Sequence, residues 1–211
     1  KQGYVTREVG VDAKTGKLTG RNASGWAPRG LSIEYLKQKG IFQMPQAGID
    51  SVTVPGAVEG WAKAHARFGK LPWKDLFTPA IYYAEHGYPV PELIHGFREG
   101  EEQVLKQTPE AQRIYLPGGK VPEVGEMFSN PDLGKTLRLI AEGGRDVFYR
   151  GEIAQSIVAT STELGGTMEP DDLADFSAEW VEPISITYHG WKVYELPPNG
   201  QGMAALEMLN I

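Results

Sequence analysis

Cysteine is absent from this chain. That removes a disulfide framework, a thiol nucleophile and every cysteine-based zinc site at once. It does not fix the compartment, because cytosolic and exported proteins alike can lack cysteine. Basic residues are in deficit: 21 Lys and Arg stand against 27 Asp and Glu, a formal net charge of −6. This balance argues against nucleic acid or an anionic membrane as partner, since both need a basic face. No stretch approaches the roughly 18 consecutive apolar residues of a membrane span. Histidine is scarce, with His65, His86, His95 and His189 only, and no two of them stand at a metal-ligand spacing, so no metal site is expected. No serine occupies a G-x-S-x-G elbow, which leaves the α/β-hydrolase chemistry without support. The opening KQGYVTREV has neither an initiator Met nor a signal-peptide pattern and reads as internal.

What is present suffices for one domain or one large lobe: 211 residues, 41% of them hydrophobic. The pattern is α+β, mainly helical with a few strands, and without an internal repeat. Gly3 to Val11 and Leu18 to Asn22 read as a hairpin around the turn DAKTGK. A short helix is expected from Ser32 to Lys39, stopped at Gly40. IFQMPQAGIDSVTVPG reads as loop and then a short strand. Ala57 to Phe68 is the first of three helices, with Val58, Trp61, His65 and Phe68 as its apolar stripe and Gly69 at its end. The second runs from about Lys74 to His86, with Pro79 as a kink or a first-turn residue. The third, Glu92 to Gln107, is charge-rich and half exposed.

A Pro/Gly-rich loop is expected from Thr108 to Gly125. Asn130-Pro131 then starts a helix that buries Leu133, Leu137, Ile140 and Ala141 and ends at Gly143-Gly144. Glu152 to Leu164 is another helix, with Ile153, Ile157 and Leu164 inward, and PDDLADF is a helical turn. Ile184 to Tyr188 and Trp191 to Leu196 form a hairpin through His189-Gly190. PNGQGMAALEMLNI closes the chain as a helix burying Met203, Leu206 and Leu209, with nothing to finish its last turn. The chain thus reads as cut at both ends, and its uncovered apolar helix faces predict a homo-oligomer when isolated.

Candidate chemistry is sparse. His65 reads as a packed residue, and His86 as an imidazole favoured at a helix C-terminus. Gly134-Lys135-Thr136 fails as a phosphate loop, because Ser129 replaces the first glycine and no strand precedes it. Glu99, Glu101 and Glu102 read as a solvated helix face. Asp171, Asp172 and Asp175 read as acids at the positive end of a helix dipole, and a catalytic carboxylate pair is the alternative. Asn22-Ala23-Ser24 fits a glycosylation sequon short enough to arise by chance.

Three ordered blocks carry a resemblance. VPGAVEGWAKAHARFGKLPWKDLFTPAIYYAEHGYPV (residues 54–90) resembles the large-subunit signature of the gamma-glutamyltranspeptidases, with Pro55, Gly56, Val58 and Gly60, then Phe68-Gly69, then Pro79, Ala80, Ala84, Gly87, Tyr88 and Val90 in place. NPDLGKTLRLIAEGGRDVFYRGEIAQSIV, followed by GGTMEPDDLADF, is similar to a second family run. EPISITYHGWKVYELPPNGQGMAALEMLNI is similar to a third. The resemblance covers about Ser51 to the last residue, with a weaker match before it.

The resemblance implies an N-terminal-nucleophile hydrolase, whose complete protein is a layered αββα sandwich. Residues 1–211 would be part of its large subunit. The attacking Thr would head a small subunit absent from this chain, so no catalytic residue is expected here and the chain alone should be inert. The family's precursor cuts itself, and its chemistry implies no cofactor. Expected partners are the missing small subunit and a small gamma-glutamyl or acyl amide. Transpeptidases carry an Arg in R-E-x-A-P that holds the substrate α-carboxylate, a task for a bidentate guanidinium. Aligning Ala27-Pro28 of GRNASGWAP with that A-P puts Ser24 at the Arg position. Arg21, three residues earlier, is either an ordinary strand-end surface charge or a cation reaching the same space from an altered loop. Ser24 and Arg21 are therefore the candidate substrate-binding residues. The missing Arg leaves three readings open: a gamma-glutamyltransferase or glutathione hydrolase, a cephalosporin-acylase-like amide hydrolase, or a non-catalytic binding or assembly lobe.

Overall fold

The computed structural model describes residues 6–211, the side chains of Thr6 and Arg7 excepted; Gly3–Val5 of the first expected strand lie outside the described residues. The chain divides into two compact units, residues 1–69 with 145–211, and residues 70–144.

The first unit opens with β1 (Thr6–Val11) and β2 (Leu18–Ala23), antiparallel with Glu8 opposite Arg21. The Asp12 carboxylate accepts from the backbone N–H groups of Lys14 (2.8 Å) and Thr15 (3.1 Å), closing the turn. Those two donors hold the Asp12 carboxyl below the usual carboxylate range. In α1 (Ile33–Gln38) the Ser32 hydroxyl accepts from Tyr35 N at 3.1 Å, an N-cap in the expected place. The expected strand before Pro55 does not form. A 3₁₀ turn spans Ile49–Ser51, and Val54 N donates a bond to the Trp26 carbonyl at 2.9 Å without building a ladder.

Helix α2 (Ala57–Phe68) has the expected bounds but a different buried face. Val58 is buried together with Glu59 and Gly60, whereas Trp61 and Phe68 are 38% and 52% exposed. The polar partners of Glu59, not apolar periodicity, decide which side turns inward.

In the second unit a 3₁₀ turn (Trp73–Phe77) leads into α3 (Thr78–His86). The single expected helix is therefore two pieces, because Pro79 occupies the first turn of α3, where its missing N–H costs nothing. His86 Nδ1 meets the Tyr82 carbonyl at 3.0 Å, and the ring stacks on Tyr82, in line with its expected place at a helix end. β3 (Tyr88–Pro89), α4 (Glu92–Gly100) and α5 (Glu102–Leu105) follow, with the expected third helix interrupted at Glu101. α6 (Pro109–Tyr115) stands where a loop was expected. Thr108 caps it by accepting from Ala111 N at 3.3 Å, with Pro109 in its first turn, so its start signal was present in the sequence.

β4 (Met127–Phe128) pairs with β3, Phe128 opposite Tyr88. α7 (Pro131–Tyr149) starts at an Asn130 cap, which accepts from Leu133 N at 3.0 Å. Of its expected stripe Ile140 and Ala141 are buried, Leu137 is half-buried and Leu133 is 46% exposed. Its polar side carries Arg138, whose Nε and Nη2 grip the Glu85 carboxylate at 2.7 and 2.6 Å. That guanidinium holds the Glu85 carboxyl below its ordinary value. Phe77, Ile81, Val90, Leu116, Phe128 and Ile140 are buried in this unit. α7 breaks at Gly144 (φ 67°), where the units divide.

Back in the first unit, α8 (Glu152–Glu163) buries Ala154 and Ser161. The expected inward residues Ile153, Ile157 and Leu164 instead line an open apolar cleft of about 410 Å³. α9 (Pro170–Ala174) carries a capping box formed by Glu169 and Asp172. β5 (Glu179–Val181), unmarked in the sequence, pairs with β2 and completes the sheet order β1-β2-β5. β6 (Ile184–Tyr188) and β7 (Trp191–Glu195) form the expected hairpin, with positive φ at both His189 and Gly190. In α10 (Gly202–Asn210) Leu206 is buried while Met203 is 48% exposed and Leu209 half-buried.

Tyr149 anchors this unit. Its ring is fully buried, and its hydroxyl donates to the Pro55 carbonyl at 2.7 Å while accepting from Glu59 N at 3.0 Å. One of the orphan N–H groups of α2 is thereby satisfied. Burial pushes the phenol well above its usual value. A raised folded value means this stability is fully present below the unfolded phenol value of about 10 and is lost as pH rises beyond it. Tyr149→Phe should cost about 1–3 kcal/mol at neutral pH. It should also flatten the fall of the urea midpoint between about pH 10 and 11.5 relative to the parent chain; equal slopes would disprove this role.

Candidate functional site

Arg21 lies inside β2, whereas Ser24 follows the strand's last residue and lines a cleft that Arg21 does not reach. Arg21 is 2% exposed and directly opposite Glu8, whose Oε2 lies 2.6 Å from its Nη2. Its Nε and Nη1 are buried without a hydrogen-bond partner among the described residues. Arg21 is therefore not an exposed strand-end charge but a buried one, flanked across the sheet by Glu8 and Trp180. It lines neither the apolar cleft beside α8 nor the one beside Ser24.

Asn22, Ser24 and the following loop open onto a cleft of about 370 Å³, shared with Trp26, Phe176, Ser177, Glu179 and Asn199. Asn22 reaches it because it pairs with Glu179 across β2 and β5, so both side chains share one face. Asn22 Oδ1 accepts from Ser24 N (3.1 Å) and Ser24 Oγ (2.8 Å). Asn22 Nδ2 donates to Asn199 Oδ1 at 3.2 Å, and Ser24 Oγ lies 3.3 Å from the same oxygen. The short sequon is thus an Asx-type turn whose side chains face inward to this cluster. Neither Lys nor Arg lines the cleft.

Its walls are held from behind. Trp26 packs edge-on against Phe176 (5.2 Å between centroids), and Phe176 stacks on Tyr149. Trp26 Nε1 donates to the Asp172 carbonyl at 3.4 Å, and Arg29 N donates to Asp172 Oδ1 at 3.0 Å. Asp172 is 1% exposed, and its Oδ2 accepts from Glu169 N at 2.9 Å. One carboxylate therefore caps α9 and fixes the loop after Ser24. Arg29 also pairs with Asp175 at 2.7 Å. Asp171 and Asp172 stand in the first turn of α9 as expected, whereas Asp175 is its C-cap, at the opposite end of the short helix. Asp172 does more than the sequence indicated.

The opposite wall rests on Glu59, which is 3% exposed. It pairs with Arg145, and its Oε1 lies 3.7 Å from Lys63 Nζ. Arg145 Nη2 donates to the Phe176 carbonyl at 2.6 Å, and Lys63 Nζ donates to Ser177 Oγ at 2.8 Å and to the Ala178 carbonyl. The hydrophobic periodicity of α2 hid this role, since a lone Glu gives no periodic signal. Asn199 was missed for another reason. Its partner Ser24 is 175 residues away in the chain, and PPNGQG reads only as a turn.

Residues 9–211 match the family described as Gamma-glutamyltranspeptidase. The Glutathione hydrolase-like YwrD proenzyme of Bacillus subtilis is 38% identical over 191 residues, 90% of this chain and 36% of that protein. A cephalosporin acylase from Bacillus halodurans superposes with a TM-score of 0.87 at 43% identity, over 93% of this chain and 38% of that one. A gamma-glutamyltranspeptidase from Pseudomonas nitroreducens gives 0.85 at 33% identity, over 97% of this chain and 60% of that one. The chain spans about a third of the length of the curated relatives it matches.

Proposed function

The chain belongs to the gamma-glutamyltranspeptidase family, and from that premise we propose that it is the substrate-positioning part of a self-cleaving amide hydrolase or transferase. The match of residues 9–211 to the family carries this reading. The fold supports it, being a mainly helical α+β chain whose relatives in structure include N-terminal-nucleophile enzymes. In this reading a Thr hydroxyl on the remainder of the polypeptide attacks the substrate amide carbon. The Thr α-amine takes the hydroxyl proton, the amine leaves protonated, and water or an amine acceptor then releases the acyl group. The residues here supply no nucleophile. They shape the cleft at Ser24 that takes the far end of the acyl group.

Ser24, with Asn22 and Asn199, is the proposed substrate contact. Arg21 is proposed to serve the sheet through Glu8 rather than to meet the substrate. An acylase-type reaction is the second reading, favoured by one observation: no guanidinium lines the cleft to hold a substrate carboxylate.

The full-length protein should cut itself into two subunits and release nitroaniline from at least one of the γ-glutamyl, glutaryl and 4-carbamoylbutanoyl p-nitroanilides. Residues 1–211 alone should release none. Turnover by the isolated chain, or no turnover of any of the three by the processed protein, would overturn the reading.

A further inference from the structure

The hydrogen-bond polarity of the cleft names a substrate class. A backbone N–H can only donate, so the Asn22 atom facing Ser24 N is its oxygen. That turns Asn22 Nδ2 toward Asn199. An amide nitrogen also can only donate, so Asn199 presents Oδ1 to it. The Asn199 carboxamide is thereby oriented, and its own NH₂ has no partner among the described residues. Ser24 Oγ gives its proton to Asn22 Oδ1 at 2.8 Å and keeps its lone pairs. Ser177 Oγ accepts from Lys63, so its own proton is available to donate.

The cleft therefore offers two neutral donors, the Asn199 NH₂ and the Ser177 hydroxyl. Its acceptors are Ser24 Oγ and the exposed Glu179 carboxylate, which stands beside Asn22 on β5. Glu179 is the one charge among the lining residues. A bare carboxylate entering here would meet the like charge of Glu179 and no cation on the lining. Lys63, which donates to Ser177, is not a lining residue and pairs with Glu59. Like-charge juxtaposition is an effective means of rejecting a wrong partner. A carboxamide presents the complement: its carbonyl accepts from Asn199 and Ser177, and its NH₂ donates to Ser24 and Glu179.

Resting on the amidase reading above, we propose that Asn199 is a specificity-determining residue, and that this cleft selects acyl groups ending in an uncharged carboxamide-type group over those ending in a carboxylate. Asn22 and Ser24 orient it, and Glu179 excludes anions.

The test uses the processed full-length protein and the same three p-nitroanilides, read as ratios of kcat/KM so that partly folded variant affects every substrate alike. The 4-carbamoylbutanoyl compound should exceed the glutaryl one by about tenfold or more. Asn199→Leu removes the free donor without adding a charge and should lower that ratio about tenfold. Ser24→Arg supplies the absent cation and should reverse the preference toward glutaryl. Equal turnover of the carboxamide and carboxylate substrates, or ratios unmoved by both substitutions, would overturn this assignment and leave the amidase reading standing. Failure to turn over any of the three would remove both.

Discussion

Gly25→Ala is expected to abolish cooperative folding, with loss of the sigmoidal urea transition followed by tryptophan fluorescence. A Cβ on Gly25 would lie 1.8 Å from the Val54 carbonyl oxygen, and the residue holds a φ of +82°. The obstacle is backbone, which cannot swing aside as a side-chain tip can. Gly56 shows the reciprocal contact: its Cβ would lie 2.0 Å from the Ala23 carbonyl oxygen and 2.8 Å from the Ala23 carbon. The segments around Ala23–Trp26 and Val54–Gly56 therefore touch main chain to main chain, joined by the bond from Val54 N to the Trp26 carbonyl. Adding a methyl group forces them apart at a fully buried valine. The cost is about 4 kcal/mol or more, in the range reserved for gross core damage. Domains have only about 5–15 kcal/mol in total.

Gly40→Ala is the control. Gly40 also has a positive φ (+72°), but no atom lies within 4 Å of its Cβ position. Its substitution should cost only about 1–2 kcal/mol of backbone strain. Similar losses at Gly25 and Gly40 would show that the two segments do not meet so closely.

Glu59→Ala is the second large effect, with about 3 kcal/mol lost in urea unfolding. Removing one partner of a buried ion pair leaves the other cation uncompensated, which typically costs about 3–5 kcal/mol. The lower end applies because Arg145 keeps Asp146 at 3.0 Å and the Arg145 and Lys63 side chains keep 25% and 32% exposure and so some solvation. Arg145 and Lys63 are also the donors that hold the carbonyls of Phe176 and Ala178. The loss should therefore spread to the cleft wall: in the full-length protein kcat/KM should fall more than the residual folded fraction explains. The double variant Glu59→Ala with Arg145→Met should lose clearly less than the sum of the single losses, because it leaves no stranded guanidinium. Simple additivity would show that the pair is not coupled.

Much of the fold was legible because its signals are local. Ser32 and Asn130 each cap an expected helix, three residues ahead of the N–H they accept. Thr108 does the same for α6 but was read as the start of a loop. His189-Gly190 turns the late hairpin through its own backbone angles. α2 and α8 matched their expected spans within a residue. Helix faces were less legible. Trp61 and Phe68 fit an apolar stripe, yet the side that turns inward is the one where Glu59 meets Arg145 and Tyr149 meets the main chain. Periodicity counts apolar residues and is blind to a polar group that is buried with its partners. β5 escaped notice because three residues, Glu179-Trp180-Val181, form a strand only by pairing with β2.

Of the candidate site, the sequence supplied Ser24 through a motif resemblance, and it supplied Arg21 through proximity in the chain alone. Burial inside β2 against a place on the cleft in the loop after it then separated the two. The sequence by itself determined the family, the caps at Ser32 and Asn130, the bounds of α2 and α8 and the late hairpin, since each local signal depends on residues a few positions apart. Tertiary structure alone decided that Arg21 is enclosed, that Asp172 fixes the loop after Ser24, and that Asn199 joins Asn22 across 177 positions. Those contacts depend on strand register and on where a returning chain is held, and neither leaves a trace in the spacing of neighbouring residues.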